Sequence, residues 1–462
     1  MNIKEFLKSY KSDVYEDKLS STMEQYRDNM DINISRKTFD SMDKWDYSDD
    51  GDIVHESGKF FSIRGAEAIN NETSQVSYQP IIDQPEQGIL GIVSRINNGR
   101  VELLLQAKIE PGNLDIVQYS PTVQATKSNY SGVHKGKSVI YVEKFIESDK
   151  IMSKGFQSEH GYKFYKKAND NIHVHDDSTE IVDNRFIWIT LNDIRSLLSK
   201  EHCVNMDTRS VLSTIDFIGK SLSFNEIFSE ADAELDNLEK ELLFSSLSED
   251  NALNSFDEIL DWVKDKKKNK KITQRMIPLS SIYDKGWILS DTNLSNENNK
   301  NFELVAIESS IGSREVSSWH QPIVRDNIPK VYAFILKKIN NIFHVLVQSV
   351  EEDYGWNGAE LGPTIHSVNS ETLSLDEELE NFDIHNNEFN VIYDCFQSEE
   401  GGRFMEQKNR YMLIMIDEDI DVKIDEDYKW ITCYQLKKMT KHECSVNIEA
   451  RTLLSIASYY KR

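Results

Sequence analysis

Apolar segments separated by short turns recur along the chain and predict β-strands. Residues 88–96 and 101–109 are mostly apolar, and they are joined by Asn97-Asn98-Gly99-Arg100. Because Asn and Gly tolerate the positive φ of a tight turn, this segment predicts a β-hairpin. The second strand opens with a nearly continuous apolar run, which is typical of a strand covered on both faces.

The same pattern returns in the second half of the chain. Residues 331–338 and 342–350 are again mostly apolar, and Asn340-Asn341 lies between them. This predicts a second hairpin of the same kind.

The start of a helix can be predicted in each half. Thr190 is followed three residues later by Asp193, and Thr432 by Gln435, which is the spacing of a capping box. In each half, the threonine is the last residue of a Trp-Ile-Thr segment, which predicts the end of a strand. Strands followed by a helix predict an α+β unit in each half.

These similarities belong to an internal repeat. Gln79 and Gln321 are 242 residues apart, and so are Trp188 and Trp430. Chance does not hold one offset over such a length, so the repeat predicts two copies of one fold. Other recurring segments are Leu105-Gln106 with Val347-Gln348, Pro121-Thr122-Val123 with Pro363-Thr364-Ile365, Val204-Asn205 with Val446-Asn447, and, at an offset of 240, Gln157-Ser158-Glu159 with Gln397-Ser398-Glu399.

The repeat divides the chain into four regions. We expect a first copy at residues 45–215 with the full site, and a second copy at 285–462 with a degenerate site. Residues 1–44 are predicted to form a helical arm, and the acidic residues 216–284 a helical linker. The predicted fold class is α+β, as a tandem duplication.

Composition excludes several classes of function. The chain has 462 residues, with 53 Lys and Arg against 78 Asp and Glu, giving a net charge of −25. Such an acidic surface repels nucleic acid and anionic membranes, so neither is an expected partner. No apolar run reaches the length of a membrane span, and the first residues lack a signal-peptide pattern, so we expect a cytoplasmic protein. The four cysteines are scattered, which disfavours disulfides and a zinc site.

The densest polar stretch without periodicity lies in the first copy. It supplies neutral donors and acceptors that suit sugar hydroxyls or base edges, together with lysines that suit a diphosphate. The alternative is a strand, a Pro-Gly turn and a polar loop without a site. The candidate residues of this stretch are Gln106, Lys108, Glu110, Asn113, Thr122, Gln124, Thr126, Lys127, Ser128, Asn129, Tyr130 and His134.

The second copy has diverged at these positions. Where the first copy has Glu110-Pro111-Gly112-Asn113, the second has Glu352-Asp353-Tyr354-Gly355. One full site, in the first copy, is therefore expected. In the second copy, Arg314 and Trp319 are candidates for gripping a phosphate and stacking on a base, although such a Trp equally serves to anchor a strand to the core.

Ordered motifs in both halves carry a family resemblance. The first half contains His55-Glu56-Ser57-Gly58-Lys59-Phe60-Phe61, Gln79-Pro80-Ile81-Ile82, Gln84-Pro85-Glu86-Gln87-Gly88-Ile89-Leu90-Gly91, Gln106-Ala107-Lys108-Ile109-Glu110-Pro111-Gly112-Asn113, and the stretch from Ser120 to Tyr130 followed by His134. The second half contains Arg314-Glu315-Val316, Trp319, Gln321-Pro322, and Asn447 with Arg451. Over residues 40–460 the chain resembles the NDP-hexose 2,3-dehydratase family.

The resemblance implies a tandem pair of Nudix-like α/β units, assembled as a homodimer. It implies loss of the C2 hydroxyl from an NDP-4-keto-6-deoxyhexose, typically the dTDP sugar, with a 3-ketoreductase acting downstream on the product. The nucleotide itself is not distinguished by the residues. By motif match, the implied substrate-binding residues are His55, Lys59, Phe60, Gln79, Gln106, Asn113, Thr122, Gln124, Thr126, Lys127, Ser128, Asn129, Arg314 and Trp319.

The implied reaction sets the roles that side chains must fill. It needs a base near C3, donors around the ketone oxygen, and an acid for the departing hydroxide. His134, Tyr130, Glu110 and Lys108 are the catalytic candidates, and the sequence does not rank them. Neither NAD nor pyridoxal phosphate is required by this chemistry, and no G-x-G-x-x-G motif opens a βαβ unit. We therefore expect no cofactor, with polarisation of the ketone by a metal ion as the alternative.

Two other functions compete with the dehydratase. The diverged second copy suggests a nucleotide-sugar binding protein that has lost catalysis. A Nudix-type pyrophosphatase is the second alternative, but the sequence lacks the acidic helix signature of Nudix hydrolases.

Overall fold

The fold is built on strands, which the computed structural model describes within residues 1–127, 139–146, 149–228, 235–296, 302–312, 318–326, 328–356, 358–367, 375–385 and 388–462. The strands of the first half are β1 Ile32–Lys37, β2 Trp45–Tyr47, β3 Ile53–His55, β4 Ser62–Asn70, β5 Val76–Asp83, β6 Gly88–Asn97, β7 Arg100–Ile109, β8 Val117–Ser120, β9 Val123–Thr126, β10 Ile151–Ser158, β11 Ala168–His175 and β12 Phe186–Thr190. Those of the second half are β13 Ile272–Ile277, β14 Trp287–Leu289, β15 Asn293–Asn296, β16 Phe302–Ile311, β17 Ser318–Asp326, β18 Val331–Ile339, β19 Ile342–Val350, β20 Glu360–Gly362, β21 Ile365–Ser367, β22 Phe389–Ser398, β23 Lys408–Ile416 and β24 Tyr428–Ile431.

Helices flank these strands, so the chain is a mixed α/β protein. They are α1 Ile3–Tyr10, α2 Glu16–Asp28, α3 Leu191–Leu198, α4 Met206–Thr214, α5 Phe224–Ile227, α6 Asn237–Leu247, α7 Phe256–Lys268, α8 Leu375–Glu380, α9 Cys433–Met439 and α10 Ile448–Ser458. Short 3₁₀ helices cover Phe39–Ser41, Val142–Lys144 and Leu279–Lys285. In the described residues, none of the helices combines the length and the apolar character that a membrane crossing requires.

Two large sheets have the same strand order. The first large sheet runs β10-β11-β6-β7-β12, with β9 added to β6 and β8 to β7. The second large sheet runs β22-β23-β18-β19-β24, with β21 added to β18 and β20 to β19. In each sheet the central strand pairs in parallel with one neighbour, β6 with β11 and β18 with β23. The two halves of the chain thus repeat one topology.

The predicted hairpins are confirmed. Strands β6 and β7 pair antiparallel, and their turn contains Asn98 and Gly99 with φ of 51° and 69°. Strands β18 and β19 pair in the same way around Asn340 and Asn341, with φ of 51° and 66°. Residues that tolerate the left-handed region therefore stand where the backbone requires them.

The predicted helix starts are confirmed as well. The side chain of Thr190 accepts a hydrogen bond from the Asp193 backbone at the start of α3, and Asp193 bonds back to the Thr190 backbone. Thr432 and Gln435 form the same reciprocal pair at the start of α9. The local sequence is enough to begin both helices after their strands.

Two small sheets exchange a strand between the halves. The first small sheet is β2-β3-β4-β13 with β5 on β4, and the second is β14-β15-β16-β1 with β17 on β16. Strand β1 of the N-terminal region therefore completes a sheet of the second half, while β13 completes a sheet of the first half. Residues 32–37 of the expected helical arm are extended for this reason.

Apolar clusters fix the arrangement of the sheets. One cluster lies between the small sheets and takes residues from both halves, among them Trp45, Trp287, Phe164 and Phe404. Another packs the arm against the first large sheet, where Phe6 and Tyr10 of α1 meet Leu103 and Leu105 of β7. The core is thus continuous across the junction between the halves.

Candidate active site

A cavity of about 720 Å³ lies where the first large sheet meets the two small sheets. Its floor comes from β7, β9 and α4 of the first half, and its rim from β3, the loop before β4, and β17. The turn between β22 and β23 contributes Glu400, Gly402 and Arg403 from the second half. The cavity is therefore built by both halves, and its volume suits a ligand of nucleotide-sugar size.

Lys108 and Glu110 form an ion pair on the floor. Alternate residues of a strand share a face, so the end of β7 directs both side chains to the same side. The Lys108 Nζ lies 3.0 Å from Glu110 Oε1, and the carboxyl is 4% exposed. Gln124 of β9 donates from Nε2 to the same oxygen at 3.3 Å. The lysine and the amide both favour the ionised form of Glu110.

Among the other carboxyl groups that line the cavity, Glu159, Asp207 and Glu400 lie near one another. Glu159 follows β10 and accepts a 2.6 Å hydrogen bond from Asn169 Nδ2. Asp207 lies in the first turn of α4, whose N-cap is Asn205. Glu400 accepts a 3.0 Å hydrogen bond from the backbone of Gly402.

Crowding of these acids inside the protein changes their protonation. Burial, followed by repulsion from Glu110, raises the pKa of Glu400 to about 7. Burial and the charges of Glu159 and Glu400 raise the pKa of Asp207 well above its usual range. Burial lowers the pKa of Lys167 to about 8. The floor therefore contains carboxyl groups that hold protons near neutral pH.

Asp207 is a buried carboxyl group that the protein leaves open to the cavity. It is 3% exposed and lines the cavity wall. Across the described residues, its side-chain oxygens make no hydrogen bond or ion pair. Because a buried polar group is costly without a partner, this carboxyl group points to a bound ligand with hydroxyl groups.

Aromatic and basic side chains surround the cavity mouth. Phe60 packs against His55 and against Trp45, with ring centroids 5.4 and 5.8 Å apart. The guanidinium of Arg403 lies 4.1 Å from the Phe61 ring centroid and 5.5 Å from that of Phe60. Lys44, Lys59 and Trp319 belong to the same rim, as do the acidic Asp43 and Glu56. Flat rings beside cations suit a base and a diphosphate.

The structure brings together many of the predicted site residues. Those that line the cavity are His55, Lys59, Phe60, Lys108, Glu110, Gln124, Thr126 and Trp319. Lys127 is exposed and described, but it is not part of the lining. Ser128, Asn129, Tyr130, His134 and Arg314 lie outside the described residues.

Four other predicted binding residues lie outside the cavity lining and bond to the protein backbone. The Gln106 amide donates to the carbonyls of Pro121 and Thr122 at 2.8 and 3.2 Å. The Thr122 hydroxyl donates to the Leu104 carbonyl and accepts from Val93 N at 2.9 Å. Gln79 donates to the Tyr162 carbonyl, and Asn113 to the Ile116 carbonyl at 3.0 Å. These contacts brace the strands and turns that carry the lining.

Sequence reasoning missed much of the polar lining. Glu159, Lys167, Asp207, Glu400 and Arg403 were not among the candidates, because they stand far from the polar stretch in the chain. A signal for Asp207 does exist. An acidic residue follows the N-cap asparagine by two positions in both copies, as Asp207 after Asn205 and Glu449 after Asn447.

A second buried polar cluster occupies the corresponding place in the second half. His160 contacts Glu399 and Glu449 at 2.9 Å from its two ring nitrogens. Glu352, counterpart of Glu110, accepts from the Gly161 backbone at 2.8 Å. Burial alone would lower the pKa of His160, but the two carboxylates raise it well above its usual value. Here the acids are paired within the protein.

In the part of the chain that the structure describes, histidine, cysteine and acidic side chains form no group of three or more suited to a metal ion.

The sequence is similar to that of one known protein family. A sequence model described as NDP-hexose 2,3-dehydratase matches residues 16–215 and 256–457. A dTDP-4-dehydro-6-deoxy-alpha-D-glucopyranose 2,3-dehydratase of Saccharopolyspora spinosa is 34% identical over 91% of this chain and 87% of its own length. Proteins of the same description from Amycolatopsis orientalis and Streptomyces violaceoruber are each 34% identical, over 93% and 91% of this chain and 87% and 92% of their own lengths.

Solved structures give a much weaker likeness. A C. elegans Ap4A hydrolase covers 25% of this chain and 87% of its own, with 13% identity and a TM-score of 0.19. A binary complex of a C. elegans Ap4A hydrolase covers 28% and 92%, with 14% identity and a TM-score of 0.20. These values are too low to support a conclusion about the fold.

Proposed function

This chain belongs to the NDP-hexose 2,3-dehydratase family, and from that premise we propose that its cavity binds dTDP-4-keto-6-deoxy-D-glucose and removes the C2 hydroxyl as water. The observation that carries this proposal is the Lys108–Glu110 pair on the floor of a cavity whose mouth is aromatic and basic. Such a floor suits proton transfer on a sugar, and such a mouth suits a nucleoside diphosphate.

The reaction begins at C3, whose proton is acidified by the ketone at C4. A base takes that proton, and the C–H electron pair forms the enolate across C3 and C4. The enolate then re-forms the C4 carbonyl, the C2=C3 bond forms, and the C2–O bond breaks with protonation of the leaving oxygen. The resulting enol gains a proton at C2 and loses the proton of its C3 hydroxyl, which gives the 3,4-diketo-2,6-dideoxy sugar. Water is lost without a redox change, which makes the enzyme a carbon–oxygen lyase.

Glu110 is the described residue best suited to remove the C3 proton. Its carboxylate lines the cavity and is held by Lys108 and Gln124. Lys108, at 3.0 Å from that carboxylate, also places positive charge where the enolate develops. His134 and Tyr130, which lie outside the described residues, stay candidates for the same proton transfers.

Asp207 is proposed to hold the sugar. Its carboxyl group is buried, open to the cavity and unpaired within the described residues. Sugar hydroxyls donate hydrogen bonds, and a carboxyl oxygen accepts them. Lys167 and Asn169, joined by a 2.9 Å hydrogen bond, form the adjoining wall.

The nucleoside diphosphate part of the substrate is proposed to lie at the mouth of the cavity. Phe60 and Trp319 offer ring faces to the base, while Lys59 and Arg403 offer charge to the diphosphate. This arrangement directs the sugar inward to the carboxyl groups.

We infer that the two halves arose as a tandem duplication of one Nudix-like unit. The repeated offset of 242 in the sequence and the shared strand order of the large sheets support this inference. Hydrogen bonds recur at the same spacing: Thr122 caps the Leu104 carbonyl as Thr364 caps the Leu346 carbonyl. The proposed units keep the bounds 45–215 and 285–462.

Three further expectations accompany the reaction. The product is a reactive diketone, so a 3-ketoreductase is the proposed consumer. A homodimer and a cytoplasmic location are proposed from the family resemblance.

The decisive assay follows the substrate in D2O. The protein is incubated with dTDP-4-keto-6-deoxyglucose, and both deuterium at C3 and loss of the intact nucleotide sugar are measured against an enzyme-free sample. Enzyme-dependent exchange and breakdown are expected. Tight binding with neither change would favour the non-catalytic binding protein, and release of a nucleoside monophosphate would favour a pyrophosphatase.

A further inference from the structure

We propose that Glu400, which the second half of the chain supplies to the cavity, is the general acid that protonates the departing C2 hydroxyl. The assignment rests on the proposed function, because it presupposes that the sugar lies among the carboxyl groups of the floor. It adds a catalytic residue that stands outside the polar stretch of the first copy.

The position of Glu400 supports this role. Its side chain lines the cavity, and a backbone hydrogen bond from Gly402 at 3.0 Å fixes one carboxyl oxygen. A Cβ at Gly402 would clash with Glu400 Oε1 and would lie 3.5 Å from Glu110 Oε1. The carboxyl groups of Glu110 and Glu400 therefore both lie beside Gly402, close to one another.

The surroundings of the two carboxyl groups differ in the way that an acid and a base require. Glu110 has the ammonium of Lys108 at 3.0 Å and an amide donor from Gln124, which favour its anion. Desolvation is the main cause that raises the pKa of Glu400, followed by repulsion from Glu110, whereas the charges of Arg403 and Lys108 oppose the shift. A pair of carboxyl groups held in opposite states divides naturally into base and acid.

The second half of the chain has a different side chain at this position. His160 is the counterpart of Glu400 and Glu399 that of Glu159, both at an offset of 240, while Glu449 is the counterpart of Asp207 at an offset of 242. His160 lies between both acids and contacts each of them at 2.9 Å. In the first half, Glu400 stands where the second half has this imidazole, so a carboxyl group lies near Glu159 and Asp207 and supplies a transferable proton.

The proton balance is complete with these groups. Glu110 gains the proton from C3, and Glu400 gives its proton to the C2 oxygen as the C2–O bond breaks, so water leaves. Transfer of one proton from Glu110 to Glu400, directly or through solvent, restores both groups. No oxidant, reductant or further reactant is needed.

The test separates C3 exchange from C–O cleavage in Glu400→Gln. A glutamine keeps the shape of the side chain but cannot donate a proton as a carboxylic acid does. We expect the variant to exchange C3 hydrogen for deuterium at a rate within about threefold of the wild type, and to lose elimination by about 10²–10⁴-fold. Glu400→Asp should recover part of the elimination rate, and the exposed Glu418→Gln is the matched control.

The pH profile gives an independent readout. A raised pKa of about 7 for Glu400 means that its acid form is lost as pH rises through that value. Elimination by the wild type should therefore decline above about pH 7, while the residual elimination of Glu400→Gln should lack this step. A change confined to folding would not remove one step of a pH profile.

Other outcomes overturn the assignment. Elimination at the wild-type rate by Glu400→Gln would exclude the acid role, and so would equal loss of exchange and elimination. If Asp207→Asn lost elimination but kept C3 exchange, and Glu400→Gln did not, the general acid would be Asp207 and not Glu400. A wild-type protein that performs neither step would instead overturn the proposed function itself, together with this role.

Discussion

Arg209 and Arg451 cross between the two halves of the chain in opposite directions. Arg209 Nη2 donates to the Ser398 carbonyl at 2.5 Å, and Arg451 Nη2 donates to the Ser158 carbonyl at 2.6 Å. Each guanidinium also holds a carbonyl at the start of its own helix, Val204 for Arg209 and Val446 for Arg451. Both side chains are fully buried, so the last residues of β10 and β22 are held from the opposite half.

Arg451→Lys should therefore destabilise the whole chain. An ammonium keeps the charge but cannot reach two carbonyls and the Ser210 hydroxyl at once. We expect the free energy of unfolding to fall by about 3 kcal/mol in urea denaturation. Arg27→Lys, on an exposed face of α2, should change it by less than about 0.5 kcal/mol. Equal stability of the two variants would contradict a bracing role.

The His160 cluster should make stability depend on pH. The folded-state pKa of His160 is raised by Glu399 and Glu449, so its contribution is fully present below the unfolded-state pKa of about 6.5. That contribution is lost as pH rises through the raised folded-state pKa. Urea unfolding of the wild type and of His160→Asn, compared from pH 6 to pH 9, should show a difference that shrinks toward the alkaline end. His385→Asn, at an exposed position, should show no such trend.

Glu110→Gln should slow turnover strongly while leaving the fold intact. Loss of a positioned base is typically worth about 10²–10⁴-fold, so both C3 exchange and elimination should fall by this factor. The matched control is Glu352→Gln at the equivalent position of the second half. Burial raises the pKa of Glu352 to about 8, so a glutamine resembles its protonated form. Wild-type exchange by Glu110→Gln would assign the base to another residue.

Residues at the mouth of the cavity should determine the affinity for the nucleotide sugar and have little effect on the rate of elimination. Trp319→Leu removes a ring that is proposed to stack on the base, a contact worth about 1–3 kcal/mol. KM should rise about tenfold or more while kcat stays within about twofold, as measured by initial rates of elimination. Trp356→Phe, at a tryptophan that bonds to Glu443 away from the cavity, should leave both constants unchanged. A fall in kcat alone would show that Trp319 is needed for chemistry instead.

Asp207→Asn should weaken the hold on the sugar. The raised pKa of Asp207 keeps its carboxyl group neutral, and a hydrogen bond between neutral groups contributes about 0.5–1.5 kcal/mol, so kcat/KM should fall about twofold to tenfold. Exchange and elimination should fall together, because both need the bound sugar. Asp28→Asn, which is 73% exposed on its side chain, is the control. Unchanged binding of the dTDP sugar in calorimetry would contradict this role.

Features encoded by neighbouring residues could be predicted from the sequence. The turn at Asn98 and Gly99 and the capping box of Thr190 and Asp193 depend on contacts within four residues. The polar stretch around Lys108 and Glu110 was found because its residues adjoin in the chain.

Contacts between distant segments could not be predicted in this way. Strand β1 becomes a strand because it pairs with β16, and nothing in residues 32–37 alone identifies that partner. Glu400 and Arg403 reach the cavity through the exchange between halves, and no spacing in the first copy indicates them. Gln106 and Thr122 are polar and lie near the site in the sequence. Their side chains instead donate hydrogen bonds to backbone carbonyls of neighbouring strands and turns, which the sequence alone does not reveal.

The exchanged strands have a consequence for synthesis on the ribosome. Strand β1 leaves the ribosome early, but its partner β16 is translated only after the linker. Ile32 of β1, for example, pairs with Ile311 of β16. Until then the nascent chain carries an unpaired edge, and β4 of the first small sheet likewise lacks β13. A product truncated before residue 400 would contain Glu110, the proposed base, without Glu400, the proposed acid. We therefore expect activity only when translation is nearly complete.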